Sequence, residues 1–192
     1  MKNIVIIDNG HGKDTIGKCS PDGILKEWEW ARRCARKLAA TLPIESCLLV
    51  TEDKDVPLAE RCRRVNKLST GKNAVLVSLH TNASGDGRHW GTASGWSAFV
   101  APRASESSKH LARLLYDEAK ARNLLGNRYP PAEGYHTGNF AICRDTHCPA
   151  VLTENLFHDN RADAEYLLSE AGTDAIVALH ADALLRYFDC QK

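Results

Sequence analysis

Six short, mostly apolar runs punctuate this chain, with room for helices between most of them: residues 4–7, 47–51, 74–80, 95–100, 140–143 and 150–154. Ile4-Val5-Ile6-Ile7 is β-branched and halts at Asp8-Asn9-Gly10, as a buried strand does. Between the runs, apolar positions return at three- and four-residue steps, as at Ala31, Cys34, Ala35, Leu38 and Leu42. Strands alternating with amphipathic helices predict an α/β fold with a twisted, mostly parallel sheet and helices on both faces. At 192 residues the chain suits a single domain with its own core, and no repeat or linker divides it.

The helices are expected over residues 25–42, 57–68, 105–122, 161–169 and 173–188. Pro43 ends the first, and Asp55 is placed to cap the second, with Pro57 in its first turn. Asn123, Gly126 and Asn127 are suited to closing the third. Residues 126–139 read as a long loop, a feature that in a compact domain tends to carry function.

Composition narrows the class. A net charge of +1 gives no field for nucleic acid or an anionic membrane. Two basic clusters, Arg32/Arg33/Arg36/Lys37 and Arg61/Arg63/Arg64, lie on predicted helices beside acidic residues and read as solvated helix faces. The seven cysteines are odd in number and none is spaced C-x-x-C, so free, mostly buried thiols are expected. No run approaches the ~18 apolar residues of a membrane span. The apolar start is also too short for a secretion leader, whose core has about 7–15 apolar residues. Synthesis in the cytoplasm and a monomeric state are expected.

In open α/β sheets, functional groups collect beyond the carboxyl ends of the strands. The first strand runs into Gly10-His11-Gly12, the third ends in His80-Thr81-Asn82, and a late one in Thr153-Glu154-Asn155, while Glu27 opens the first helix. Singly, each has an ordinary reading: a strand-end histidine is a polar loop residue, and Glu27 an acidic residue in a helix's first turn. Glu154 is the harder to dismiss, since it follows an apolar run and a buried, unpaired carboxylate is costly. Together, two histidines and one carboxylate make a catalytic zinc set, and a second carboxylate can act as general base.

At these residues the sequence resembles the zinc-dependent N-acetylmuramoyl-L-alanine amidase family (the amidase_3 type), from Ile4 to Phe188. Ile7-Asp8-Asn9-Gly10-His11-Gly12 looks like its I-D-x-G-H-G opening, and Glu27 with Ala35 and Leu38 like E-x(7)-A-x-x-L. Leu58 to Arg61 with Asn66 looks like L-x-x-R-x(4)-N, Ser78 to Ala83 like S-[IL]-H-x-N-A, and Pro149 to Phe157 like P-A-V-L-x-E-x-x-F. The chain departs at Lys13, in the loop Cys19–Gly23, at Trp28-Glu29-Trp30, and at Thr81 and Thr153, differences expected to bear on substrate preference.

The resemblance implies Zn2+ held by His11, Glu27 and His80, with Glu29 a rival to Glu27, and Glu154 as the catalytic carboxylate. It implies a peptidoglycan or muropeptide substrate, cut at the amide joining the muramoyl lactyl group to L-alanine. Site of action would then be the wall, or imported wall fragments. Asn82, Arg61 and His136 are candidates for substrate contact, Arg61 equally for a structural ion pair. Trp90 could line a groove, Trp96 belongs in the core, and His89 and His147 on the surface. The alternatives are a zinc peptidase or deacylase acting on small peptides or acyl-amino acids, and a metal-free wall-binding module.

Overall fold

A computed structural model describes residues 1–128 and 131–189. Its elements, in order, are β1 (Asn3–Asn9), α1 (Glu27–Thr41), β2 (Ser46–Leu48), α2 (Leu58–Ser69), β3 (Asn73–Asn82), β4 (Ser97–Val100), α3 (Glu106–Ala121), β5 (His136–Thr137), α4 (Ala141–Arg144), β6 (Ala150–Phe157), α5 (Arg161–Leu168) and α6 (Glu170–Asp189). Six strands form one sheet in the order β2-β1-β3-β6-β4-β5. All neighbours are parallel except β4 and β6, which run antiparallel. The sheet is therefore mostly parallel, as expected.

Alternation along the strands divides the core in two. Val5, Ile7, Val75, Val77 and Leu79 pack beneath α1, α3 and α6. Ile4, Ile6, Ala74, Leu76 and Leu152 point the other way, towards Cys62 and Val65 of α2 and Ile142 of α4. Both faces are covered, and strands buried on both faces have the continuous apolar runs seen in this sequence. Among the described residues no helix is long and apolar enough to cross a membrane.

Three expectations change. The run 140–143 is a helical turn, not a strand: Cys143 and Arg144 donate backbone hydrogen bonds to the Phe140 carbonyl. A four-residue apolar run has no period to distinguish the two states. The edge strand there is His136–Thr137, paired with Phe99 and Val100. Asp55 does not cap α2, whose first turn lacks a side-chain cap. It binds Arg61 instead, at 2.8 Å. The basic clusters are only partly solvated, because Arg32 and Arg61 are 4% and 2% exposed.

The six described cysteines are free, and Cys190 lies outside the described residues, as do 129 and 130 of the expected loop. Asn123 adopts φ 56°, and Leu124 donates back to Ala119 as α3 closes.

Candidate active site

The site forms where β1, β3 and β6 end. These are the three adjacent central strands, so their polar tips share one edge of the sheet. β1 stops at Asn9, and the chain turns through His11 at φ 58°, a left-handed conformation uncommon for a residue with a side chain. Two arginines hold that turn. Arg32 of α1 and Arg61 of α2 each donate to the His11 carbonyl at 3.1 Å. Gly10 is required because a Cβ there would overlap the His80 ring, and Gly12 because a Cβ would overlap the Asp55 backbone. The flanking glycines thus serve close packing of protein against protein.

Arg61 has no donor left for a ligand. Its five N–H groups meet the Val56 carbonyl, Asp8 Oδ1, the Asn9 carbonyl, the His11 carbonyl and Asp55 Oδ1. The substrate-contact reading of Arg61 is therefore corrected: it is a buried structural cation joining α2 to the end of β1. Asp8 is shared with Ser78, whose hydroxyl donates to Oδ2 at 2.6 Å.

Glu27, the first residue of α1, is buried and brings its carboxylate between the two histidines. Oε1 lies 3.0 Å from His80 Nδ1 and 3.4 Å from His11 Nε2, and accepts from the Thr81 amide at 3.0 Å. The histidine rings meet edge to face, 4.9 Å between centroids. One ligand atom from each of His11, Glu27 and His80 lies within 4.8 Å of the others. Glu29, the rival, points to an exposed groove beside Trp30 and Arg33.

Burial alone would raise the Glu27 pKa, but hydrogen bonds and charge from His11 and His80 hold it far below the usual carboxylate range. Burial likewise opposes protonation of His80, and the Glu27 carboxylate reverses it, raising the pKa.

Glu154 is the strand partner of His80 across β3 and β6. It lines the same 350 Å³ cavity as His11, His80, Lys18 and Phe140. Burial, reinforced by the charge of Glu27, pushes its pKa up to about 7. Glu27 Oε2 and Glu154 Oε2 are both buried with no hydrogen-bond partner among the described residues. Buried carboxylate oxygens are ordinarily satisfied, so the free Glu154 Oε2 is fitted to a water, while a cation between His11 Nε2 and His80 Nδ1 would meet Glu27 Oε1. A nitrogen–oxygen–nitrogen donor set suits zinc.

Two supporting groups were not foreseen. His158 is buried at the end of β6, with Nδ1 2.9 Å from the Thr81 hydroxyl and 3.9 Å from Glu27 Oε2. Its position after an apolar strand matches that of His80, a signal that could have marked it. Lys18 enters the cavity from a loop whose carbonyl also receives the Glu27 amide. Thr81 and Thr153 are buried too, and Thr153 faces His180 at 3.0 Å. Neither substitution lies on the cavity wall.

Asn155 ties Trp96 into the site, accepting from its indole N–H at 2.9 Å and donating to the His80 carbonyl at 2.9 Å. Trp96 is core, as expected, whereas Trp90 stacks under Arg161 at 4.5 Å. His89 and His147 are exposed. Asn82 and His136 do not join the histidine–glutamate group. They line a second cavity, across the end of β4.

The profile of the N-acetylmuramoyl-L-alanine amidase family matches residues 5–186. The chain belongs to that family. The amidase CwlM of Bacillus licheniformis is 34% identical over 98% of this chain and 70% of its own length. An endolysin of Bacillus phage SPP1 is 29% identical over 100% and 68%. Among solved structures, an N-acetylmuramoyl-L-alanine amidase from Clostridium difficile 630 superposes with a TM-score of 0.83 at 25% identity, covering 100% of this chain and 99% of that one. The catalytic domain of CwlV from Bacillus (Paenibacillus) polymyxa gives 0.81 at 26%, covering 98% and 99%. This amidase is thus a peptidoglycan amidohydrolase by family, and the His11–Glu27–His80 group sits where its three central strands end.

Proposed function

We propose that this amidase uses Zn2+ held by His11, Glu27 and His80 to hydrolyse the amide between the muramoyl lactyl group and L-alanine, with Glu154 carrying the proton. The observation that supports the reading is Glu27 Oε1 set between His80 Nδ1 at 3.0 Å and His11 Nε2 at 3.4 Å, with the buried, unpartnered Glu154 Oε2 on the strand partner of His80. A zinc ion held there would supply Lewis acidity, lowering the pKa of a water and polarising the amide carbonyl.

The protein's part follows from its geometry. His11 and His80 would offer neutral nitrogens and Glu27 a single negative charge, which offsets only part of a divalent cation's charge and would leave the remainder for the developing oxyanion. The Thr81 amide and the Asn155–His80 link orient Glu27 and His80. Glu154, raised to about 7, takes the water proton on a carboxylate oxygen and returns it to the leaving alanine nitrogen. Phe140 and Leu152 line the cavity and limit water around the scissile bond. Asn82 and His136 contact substrate beyond the scissile amide. The enzyme acts as a monomer on wall polymer or its fragments.

Mass spectrometry of muropeptides and sacculi incubated with zinc-loaded protein tests this. Release of intact stem peptides, abolished by chelation, is the expected result. Cleavage within free peptides or acyl-amino acids alone would overturn it in favour of a zinc peptidase or deacylase. Absence of both zinc and cleavage would point to a wall-binding module.

A further inference from the structure

The second cavity, about 220 Å³, opens next to the catalytic strands. Ser97 on its wall is the antiparallel partner of Glu154, and Asn82 lies two residues beyond His80 on β3. Directly opposed residues of antiparallel strands present side chains on one face, so cavity and catalytic carboxylate are neighbours.

The lining is mostly apolar and aromatic, with Asn82, Ser97, His136 and one cation, Arg128, set into it. Arg128 holds its guanidinium over the Phe157 ring at 5.7 Å. His136 stacks on Phe99 at 5.1 Å. Burial and the nearby Arg128 charge both lower the His136 pKa, so the imidazole is neutral and the guanidinium is the cavity's fixed charge. No Asp or Glu lines the cavity, and Arg128 has no acidic partner among the described residues. Arg128 stands exposed at the cavity rim, whereas Arg32, Arg33, Arg61, Arg64 and Arg122 all donate to protein oxygens. A planar five-donor cation left free over an aromatic ring beside neutral donors is matched to a carboxylate.

We propose that the cavity bounded by Asn82, Ser97, Tyr116, Arg128, His136 and Phe157 is a subsite for the α-carboxylate of the stem peptide's second residue, with Arg128 the specificity-determining cation. The inference rests on the amidase reading above. In the intact substrate the sugar and its amide-linked lactyl group are uncharged, so carboxylates occur only on the peptide side of the scissile bond. The subsite therefore fixes the direction in which substrate lies: peptide towards β4 and β5, sugar towards α2 and α4.

The test compares two soluble substrates that differ in one group, N-acetylmuramoyl-L-alanyl-D-glutamate and its α-carboxamide counterpart, N-acetylmuramoyl-L-alanyl-D-isoglutamine. The zinc-loaded wild type is expected to favour the acid by about tenfold in kcat/KM, the scale of one charge-assisted hydrogen bond. Arg128→Gln should abolish that preference through KM, leaving kcat on the carboxamide unchanged, and Arg128→Lys should restore part of it. Equal effects of Arg128→Gln on both substrates, or none, would overturn the proposal. If the wild type cleaves neither substrate, the amidase reading fails, and NMR titration with L-alanyl-D-glutamate then decides. Wild-type binding lost in Arg128→Gln upholds the carboxylate subsite, and no wild-type binding overturns it.

Discussion

Arg61 Nη2 donates to the backbone carbonyl of His11 at 3.1 Å, so a residue 50 positions along the chain sets the backbone of a proposed metal ligand. The same guanidinium binds Asp8 Oδ1 at 2.6 Å in a pair only 3% and 2% exposed. Removing one partner of a buried pair leaves the other charge uncompensated, at a cost of about 3–5 kcal/mol. Arg61→Met should lower unfolding free energy by roughly that amount. Arg61→Lys should recover only part, since an ammonium cannot reach five acceptors. Urea denaturation of both variants measures this, and a loss below about 1 kcal/mol in Arg61→Met would remove Arg61 from its structural role.

Gly10→Ala places a methyl group into the His80 ring. The ring must turn away, and its nitrogen with it. Zinc affinity is expected to fall at least about tenfold, the scale of a lost orienting contact. Competition with a chromophoric chelator reads the affinity directly. An unchanged dissociation constant would mean that His80 is not a ligand.

Glu154→Gln preserves shape and removes the proton acceptor. Turnover should drop by about 10²–10⁴, the usual contribution of general acid–base catalysis, with zinc content unchanged at one equivalent. Rates on a defined muropeptide, together with metal analysis of the same preparation, separate the two effects. Loss of zinc in parallel with rate would make Glu154 a ligand instead.

His180 is fully buried on α6 between the Ile176 carbonyl at 2.8 Å and Thr153 at 3.0 Å. Burial pushes its pKa down to about 4. Unfolding restores a value near 6.5, so the unfolded chain binds the proton more readily. His180 therefore costs no stability above about pH 6.5. Stability falls progressively as pH drops towards 4, by a total of about 3 kcal/mol. His180→Leu should flatten this part of the pH–stability curve. Chemical denaturation of both proteins at pH 7.5 and 4.5 checks it, and an identical pH slope would show that His180 does not stay neutral.

Much of this could be read in the chain because it is local. Ile4 to Ile7, Ala74 to Leu79 and Ala150 to Leu152 announce buried parallel strands, and the polar tips His11, His80 and Glu154 follow directly from where those runs stop. The choice of Glu27 over Glu29 came from resemblance, and the structure supplies its physical basis: only residue 27 turns inward between the histidines. What was hidden is non-local. Arg32 looks like a surface residue until its partners, the carbonyls of His11, Trp28 and Glu52, are in place. His158 gains meaning only beside Thr81, 77 residues away. The run 140–143 was misread because four residues carry too little pattern, and its neighbours in space decide its form.

β6 is the last strand in the chain, yet it lies inside the sheet, between β3 and β4. Until it docks, β2-β1-β3 and β4-β5 are separate fragments, and long-range parallel pairing of this kind is slow. That strand also brings Glu154. A nascent or partly unfolded chain can gather His11, Glu27 and His80 but lacks the group proposed to move the proton. The proposed proton carrier thus reaches the site only when the sheet closes around β6, so catalytic competence would report completion of the fold.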